Sequence, residues 1–285
     1  MERSDSQGNP VRLVTPAMRR MLLIASVLVF IAGFQVFVLT EHTDRYFAWT
    51  IGFPLTAVFL GAGYWAAGVL EFLASRERVW ANARPAVPAV WIFTTLTAIA
   101  TLLHLDAFRT ESFWAWAWFG VYFYVPVALG VILILQLRVP GGDPPQSEPI
   151  PAWLRGVLAV QVVLMLPLGV GLFIAPASFE GAWPWDLTPL LARAVGAWLI
   201  GWSTVKIQIL WENDWRRCRN LFLSTMIWTL LIFVAFARYG DAVEWGAHLW
   251  GFLLVVLSVF AVGLYGVLAG WYGLGRVAAP VPSDD

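Results

Sequence analysis

The chain of 285 residues is short of most of what soluble chemistry uses. It has one cysteine, Cys218, so no intrachain disulfide and no cysteine metal cluster can form. Charged residues make up only 13% and cancel to a formal net charge of zero, which gives no electrostatic basis for binding nucleic acid or an acidic partner. Histidines number three: His42, His104 and His248. Phosphate loops of the form G-x-x-x-x-G-K-[ST], zinc helices H-E-x-x-H, nucleophile elbows G-x-S-x-G and redox pairs C-x-x-C are all missing. Gly61-Ala62-Gly63 sits inside an apolar run with no strand before it, so it is no dinucleotide loop. No polar segment is long enough to hold a catalytic domain. These absences argue against ATP-driven transport by this chain alone and against familiar hydrolases.

What the chain has is hydrocarbon. Hydrophobic residues reach 60% and the mean hydropathy is +0.72, too apolar for a soluble domain. Crossing roughly 30 Å of hydrocarbon takes about 20 residues of helix. Eight spans fit: 21–40, 48–72, 87–105, 113–137, 154–175, 187–210, 221–237 and 247–272. All should be helices, because a lone strand leaves its backbone polar groups unpaired in lipid. The third and seventh are short and polar at their ends. The run 21–40 is long enough to span and has no A-x-A site after it, so it reads as a retained helix and not a signal peptide. The Pro- and Gly-rich stretch RVPGGDPPQSEPIP at 138–151 reads as an irregular loop between two halves.

The halves share a pattern. Pro54 and Pro189 lie 135 positions apart, and the same shift pairs Arg20 with Arg155, Leu55 with Leu190, Ala57 with Ala192, Gly61 with Gly196 and Ala62 with Ala197. It also pairs Glu77 with Glu212, Trp80 with Trp215, Arg84 with Arg219, Thr94 with Thr229 and Asp106 with Asp241. Hydrophobicity alone does not match prolines, glycines and charges, so the sequence predicts a duplication. Past Asp106 the register slips by about three, setting Trp118 opposite Trp250. Four spans per half is an even number, so the repeats are expected to be parallel and related by a pseudo-twofold axis along the membrane normal. The expected organisation is an N-terminal tail at 1–20, repeat 1 at 21–137, a linker at 138–153, repeat 2 at 154–272 and a C-terminal tail at 273–285. Lys/Arg placement orients it. One side carries Arg3, Arg12, Arg19, Arg20, Arg76, Arg78, Arg84, Arg138, Arg155, Arg216, Arg217, Arg219 and Arg276; the other has only Arg45, Arg109 and Arg238. Both termini are therefore expected in the cytoplasm.

The pattern P-L-x-A-x-x-x-G-A at 54–62 and 189–197 puts small residues four apart on one helix face, the arrangement that lets helices approach closely in lipid. It marks the second and sixth spans as central packing helices. Positions where the halves differ carry more information. Arg193 replaces Val58, and a charge that deep costs about 2.5 kcal/mol or more unless it snorkels, pairs or faces a polar cavity. Its candidate partners are Asp186, seven residues earlier, and Asp106, Asp241 and Glu244 at neighbouring helix ends. The two readings are a structural ion pair and a site for an anionic group. Glu71 faces Lys206 across the repeat, which suggests a structural pair near the cytoplasmic ends of their spans. His104 and His248 are the weak candidates for a metal or for haem, with no ligand spacing to support them, so no cofactor is expected. Of the 18 tryptophans, Trp114, Trp116, Trp118, Trp183 and Trp185 fit an outer aromatic belt, and Trp80, Trp153, Trp211 and Trp215 an inner one. Trp65, Trp91, Trp198, Trp202 and Trp228 lie deeper, where indole rings line a cavity for an apolar or flat ligand. Gln35 and Gln161 are expected to hydrogen-bond between helices.

At FAWTIGFPLTAVFLGAGYW (47–65) and WPWDLTPLLARAVGAW (183–198) the sequence resembles bacterial multi-pass membrane proteins of unassigned function, over most of its eight spans. The resemblance implies no activity, ligand or site residue. The expectation is thus an all-α integral protein of the bacterial cytoplasmic membrane. It would bind or pass a small lipid-like or anionic molecule from the outer leaflet without catalysis, through Arg193, Asp186, Asp106, Asp241, Trp198 and Trp202. Its expected partners are membrane lipids and a second membrane protein or further copies of itself, with no nucleic acid. Two other classes stay open: a membrane subunit of a redox or lipid-modifying enzyme, which needs His104 and His248 or a partner's cofactor, and a structural subunit whose deep tryptophans pack against other helices.

Overall fold

The computed structural model describes residues 10–272, so the expected tail at 273–285 and the first nine residues, with Arg3 and Arg276, lie outside the described residues. Eight long helices follow one another: α1 (Pro16–Gly33, continued by a π turn at Phe34–Val38), α2 (Pro54–Arg76), α3 (Val87–Leu103), α4 (Phe113–Leu137), α5 (Ala152–Ile174), α6 (Pro189–Glu212), α7 (Trp215–Tyr239) and α8 (Ala247–Tyr272). Short helical turns at Trp80–Ala83 and Arg84–Ala86 lead directly into α3. Among the described residues eight helices, three of them counted with their adjoining turns, are long and apolar enough to cross a membrane, and the protein is a multi-pass membrane protein.

The helix starts are written locally. Thr15 caps α1 by accepting a hydrogen bond from the Met18 N–H, and Thr188 does the same for α6 from Leu191; each is followed by a proline in the first turn. Asp214 caps α7 through the Arg217 N–H. Asn213 closes α6 in the left-handed region, at φ 44°. The spans read short at the third and seventh positions are longer: the polar turn WANAR ahead of the third is largely buried, and in WRRCRN Arg217, Cys218 and Asn220 are buried while Arg216 and Arg219 stay exposed. Burial supplies the partners that lipid would deny, so hydropathy underestimates these helices. The second span begins at Pro54 and not at 48, since residues 47–53 fold over the helix ends, with Phe47, Trp49 and Ile51 buried.

α2 and α6 are the most enclosed, with 72% and 78% of their most apolar stretch buried, against 22% for α4. α2 packs on α1 and on α7; α6 packs on α5 and on α3; α4 leans on α3, and α8 on α7. The small-residue faces are used for close approach, as expected. A Cβ on Gly61 would lie 2.6 Å from the Phe37 Cβ and 2.8 Å from its backbone nitrogen, and one on Gly196 would lie 2.6 Å from the Gly169 carbonyl oxygen. Hydroxyls tie the helices further: Ser26 donates to the Gly68 carbonyl at 2.9 Å and Ser224 to that of Ala66 at 2.7 Å.

One end of the bundle collects the charged loops. Arg84 grips Glu212 with two hydrogen bonds, at 2.6 and 2.8 Å, and Arg217 adds a third at 3.0 Å. Arg219 pairs with Glu77 at 2.6 Å. The 138–151 segment lies across this network, giving the Asp143 carboxylate to Arg84, the Pro144 carbonyl to Arg217 and the Ser147 N–H to Asp214. Among the described residues every ion pair is at this end.

The aromatic belts are thinner than the sequence suggested. Trp116, Trp153 and Trp211 are exposed, but Trp118, Trp183, Trp185 and Trp80 are buried. Trp183 and Trp185 turn inward onto Phe59, Phe236 and Phe252, and Trp118 onto Phe47, Trp49 and Tyr122. Their rings fill the two loop entrances at the end opposite the ion pairs instead of resting at the lipid surface.

Candidate functional site

Arg193 lies in the second turn of α6 at the end opposite the ion pairs. Its Nη1 sits 2.7 Å from Nε2 of His104 and 3.5 Å from the Pro189 carbonyl oxygen, and its buried Nε has no partner. The carboxylate expected beside it is replaced by a histidine, and Arg193 makes no ion pair with a described residue. Asp186 is exposed and precedes the helix, so the seven-residue spacing does not carry it onto the Arg193 face. Asp106, in the turn after His104, and Asp241, in the turn after α7, are also exposed. Desolvation, and next the Arg193 charge, hold the His104 imidazole below its ordinary value of 6.5, against a smaller upward pull from Asp106. A neutral imidazole offers Nε2 as an acceptor, which is what the guanidinium needs.

Beneath this pair the interior is aromatic. Trp198 lies against Phe93, with centroids 4.0 Å apart, and Trp202 stacks on Trp228 at 5.1 Å and 20°. Trp198 and Trp202 lie on the walls of small internal chambers, whereas Trp91 is exposed. A chamber of about 10 Å³ lies among Leu190, Ala194, Thr101, Trp118, Tyr64 and Trp198. A second, of about 40 Å³, lies among Glu71, Phe93, Thr94, Trp198, Trp202 and Val205. The hydroxyl of Tyr64, on the wall of the first chamber, meets that of Tyr122 at 3.1 Å.

Two lateral clefts flank the core at the end opposite the ion pairs. One, of about 240 Å³, opens between α1 and α4; the other, of about 280 Å³, opens between α5 and α8. Leu28, Val29 and Ala32 in the first lie 136 positions before Leu164, Met165 and Leu168 in the second, and Phe47 and Ala48 lie 135 before Ala182 and Trp183. Ala117, Trp118, Val121 and Tyr122 lie 134 positions before Gly251, Phe252, Val255 and Val256. The lining residue of the second cleft nearest the 135-residue shift from Trp118 is Phe252. Each cleft holds buried donors without a protein partner: Gln35 Nε2 in the first, Trp183 Nε1 and Trp228 Nε1 in the second. Gln161 bonds across helices to Ser258 at 2.9 Å, as expected; Gln35 faces the cleft.

Glu71 and Lys206, the only lysine, do not pair. They also do not snorkel: their exposures are 3% and 0%. Lys206 turns its amine to the Trp202 carbonyl at 3.5 Å, and Oε2 of Glu71 has no partner. Opposed charges at equivalent repeat positions signalled something unusual, but spacing alone could not show that packing separates them. His104 is engaged with Arg193 and His248 sits at the mouth of the α5–α8 cleft, so neither lies beside the other's partners. Among the described residues no three His, Cys, Asp or Glu side chains gather as a metal set. No protein-family model, curated protein or solved structure matches the chain.

Proposed function

We propose that the protein is built from two parallel four-helix repeats and that it binds or passes a lipid-like molecule with an anionic group, taken from the outer leaflet of the bacterial cytoplasmic membrane, without catalysis. The observation that carries the reading is the pair of apolar clefts at corresponding positions, each lined by at least one residue whose buried donor has no protein partner and each with a volume in the range of several lipid methylenes. The repeat is supported by a reciprocal exchange. Glu77 pairs with Arg219 and Glu212 with Arg84, so each half's glutamate meets the other half's arginine, as a twofold axis requires of an isologous contact. Both pairs lie at the same end, which favours parallel over inverted repeats. The excess of arginines at that end favours its being cytoplasmic, which places the clefts and Arg193 on the outer side.

In this reading an acyl chain occupies a cleft and Arg193 attracts the anionic headgroup. Leu190 and Ala194, on either side of Arg193 in α6, line the small chamber, and Trp118 stands between that chamber and the α1–α4 cleft. Native mass spectrometry of protein taken from membranes in mild detergent tests this. An anionic lipid should be retained by the wild type and lost in Arg193→Ala, with fold kept as judged by circular dichroism. Retention of that lipid by the variant, or purification free of any lipid, overturns the reading. A visible Soret band lost in His104→Ala would instead favour the redox class.

A further inference from the structure

We infer that the Glu71 chamber is a binding site for a small ammonium-type cation, such as ammonium or methylammonium. The inference stands apart from the lipid reading, since it uses a different chamber and the opposite charge.

Glu71 is on the penultimate turn of α2, five residues before Arg76 at the helix end, and it is 97% buried with Oε2 unpartnered. A lone carboxylate in an apolar interior is held only by a proton or by a cation beside it. The one cationic side chain nearby in the sequence pattern, Lys206, points its amine elsewhere. What does surround the carboxylate is aromatic: Phe93, Trp198 and Trp202 line the same chamber. Ring faces attract ammonium groups, and more strongly where water is excluded.

The lining also selects among cations. Sodium, magnesium and calcium need several oxygen ligands, six or more for calcium. Here the lining offers the two carboxylate oxygens of Glu71 and the one hydroxyl oxygen of Thr94, whose hydrogen goes to the Val90 carbonyl at 2.8 Å, too few ligands for those ions. A cation that takes one carboxylate amid three aromatic side chains is an ammonium. The chamber of about 40 Å³ exceeds the roughly 10–15 Å³ that one water requires, and it admits an occupant of one to a few heavy atoms. Val29 is shared by the walls of this chamber and of the α1–α4 cleft.

Thermal unfolding of the full chain in detergent micelles tests the site, because a ligand that binds only the folded state raises Tm in a saturable way. Methylammonium chloride should raise the wild-type Tm, and sodium chloride at the same ionic strength should not. Glu71→Gln should abolish the methylammonium response. Phe93→Leu should move its midpoint up about tenfold in concentration, and this variant decides the matter if Glu71→Gln does not fold. An equal rise with sodium overturns the inference, and so does an unchanged response in either variant. No wild-type response up to roughly 100 mM, where a millimolar site is still detected, also overturns it and leaves Glu71 with a proton only. None of these outcomes depends on whether Arg193 holds a lipid.

Discussion

Arg193 and His104 form a pair in which only one member is free to be charged. The imidazole is held below its ordinary value of 6.5 first by desolvation and then by the guanidinium. A group whose folded value is depressed stabilises the fold above its unfolded value, and that contribution is lost as pH falls through the folded value. Unfolding midpoints should therefore drop between pH 7 and pH 5 more in the wild type than in His104→Gln, a difference that thermal scans would show. If both fall in parallel, His104 is not coupled to the fold. The sequence singled out Arg193 as a charge in an apolar helix and His104 as a residue of interest, 89 positions apart. Their contact rests on where α3 ends against α6, which spacing within one helix does not encode.

At the scale of the helix, the small-residue faces work in two equivalent places. Gly61 and Gly196 let a neighbouring backbone approach to a distance that excludes even a methyl group. Gly61→Ala and Gly196→Ala should each destabilise by about 1–3 kcal/mol, because the packing helix must move away. Gly52→Ala, where a Cβ meets nothing within 4 Å, should be close to neutral and serves as the control. Detergent-resistance or thermal-unfolding measurements separate the three. Helix type, number and the central role of α2 and α6 were legible from apolar runs and the P-L-x-A-x-x-x-G-A pattern. The true length of the third and seventh spans was not, because their polar first turns are satisfied by residues more than 100 positions away.

Across the whole molecule, the equivalent ion pairs are unequal in burial. Glu212 is 2% exposed and is held by Arg84 and Arg217, whereas Arg219 in the Glu77 pair is 55% exposed. Removing a partner from a buried pair leaves an uncompensated charge and costs about 3–5 kcal/mol, while an exposed pair contributes about 0–1 kcal/mol. Glu212→Ala should thus unfold the protein far more readily than Arg219→Ala, although both sit on the same pattern. Topology is open to labelling, since Cys218 is buried and a Cys218→Ser background is clean. A membrane-impermeant maleimide should label Thr110→Cys and Gly181→Cys in intact cells, and Pro145→Cys only after permeabilisation. Labelling of Thr110→Cys and Gly181→Cys from opposite sides would exclude parallel halves.

The amino-acid sequence by itself determined the membrane class, eight helices, the 135-residue pattern and which residues break it, because hydropathy, caps and residue matches are read within one segment or from one segment to another. Tertiary structure decided the rest: His104 in place of a carboxylate beside Arg193, Trp183 and Trp185 turned inward, and Glu71 and Lys206 buried apart. Each of those outcomes depends on which faces of distant helices meet. In lipid, where apolar surface does not by itself choose a partner, that choice falls to close packing at Gly61 and Gly196 and to the few polar contacts at the ends.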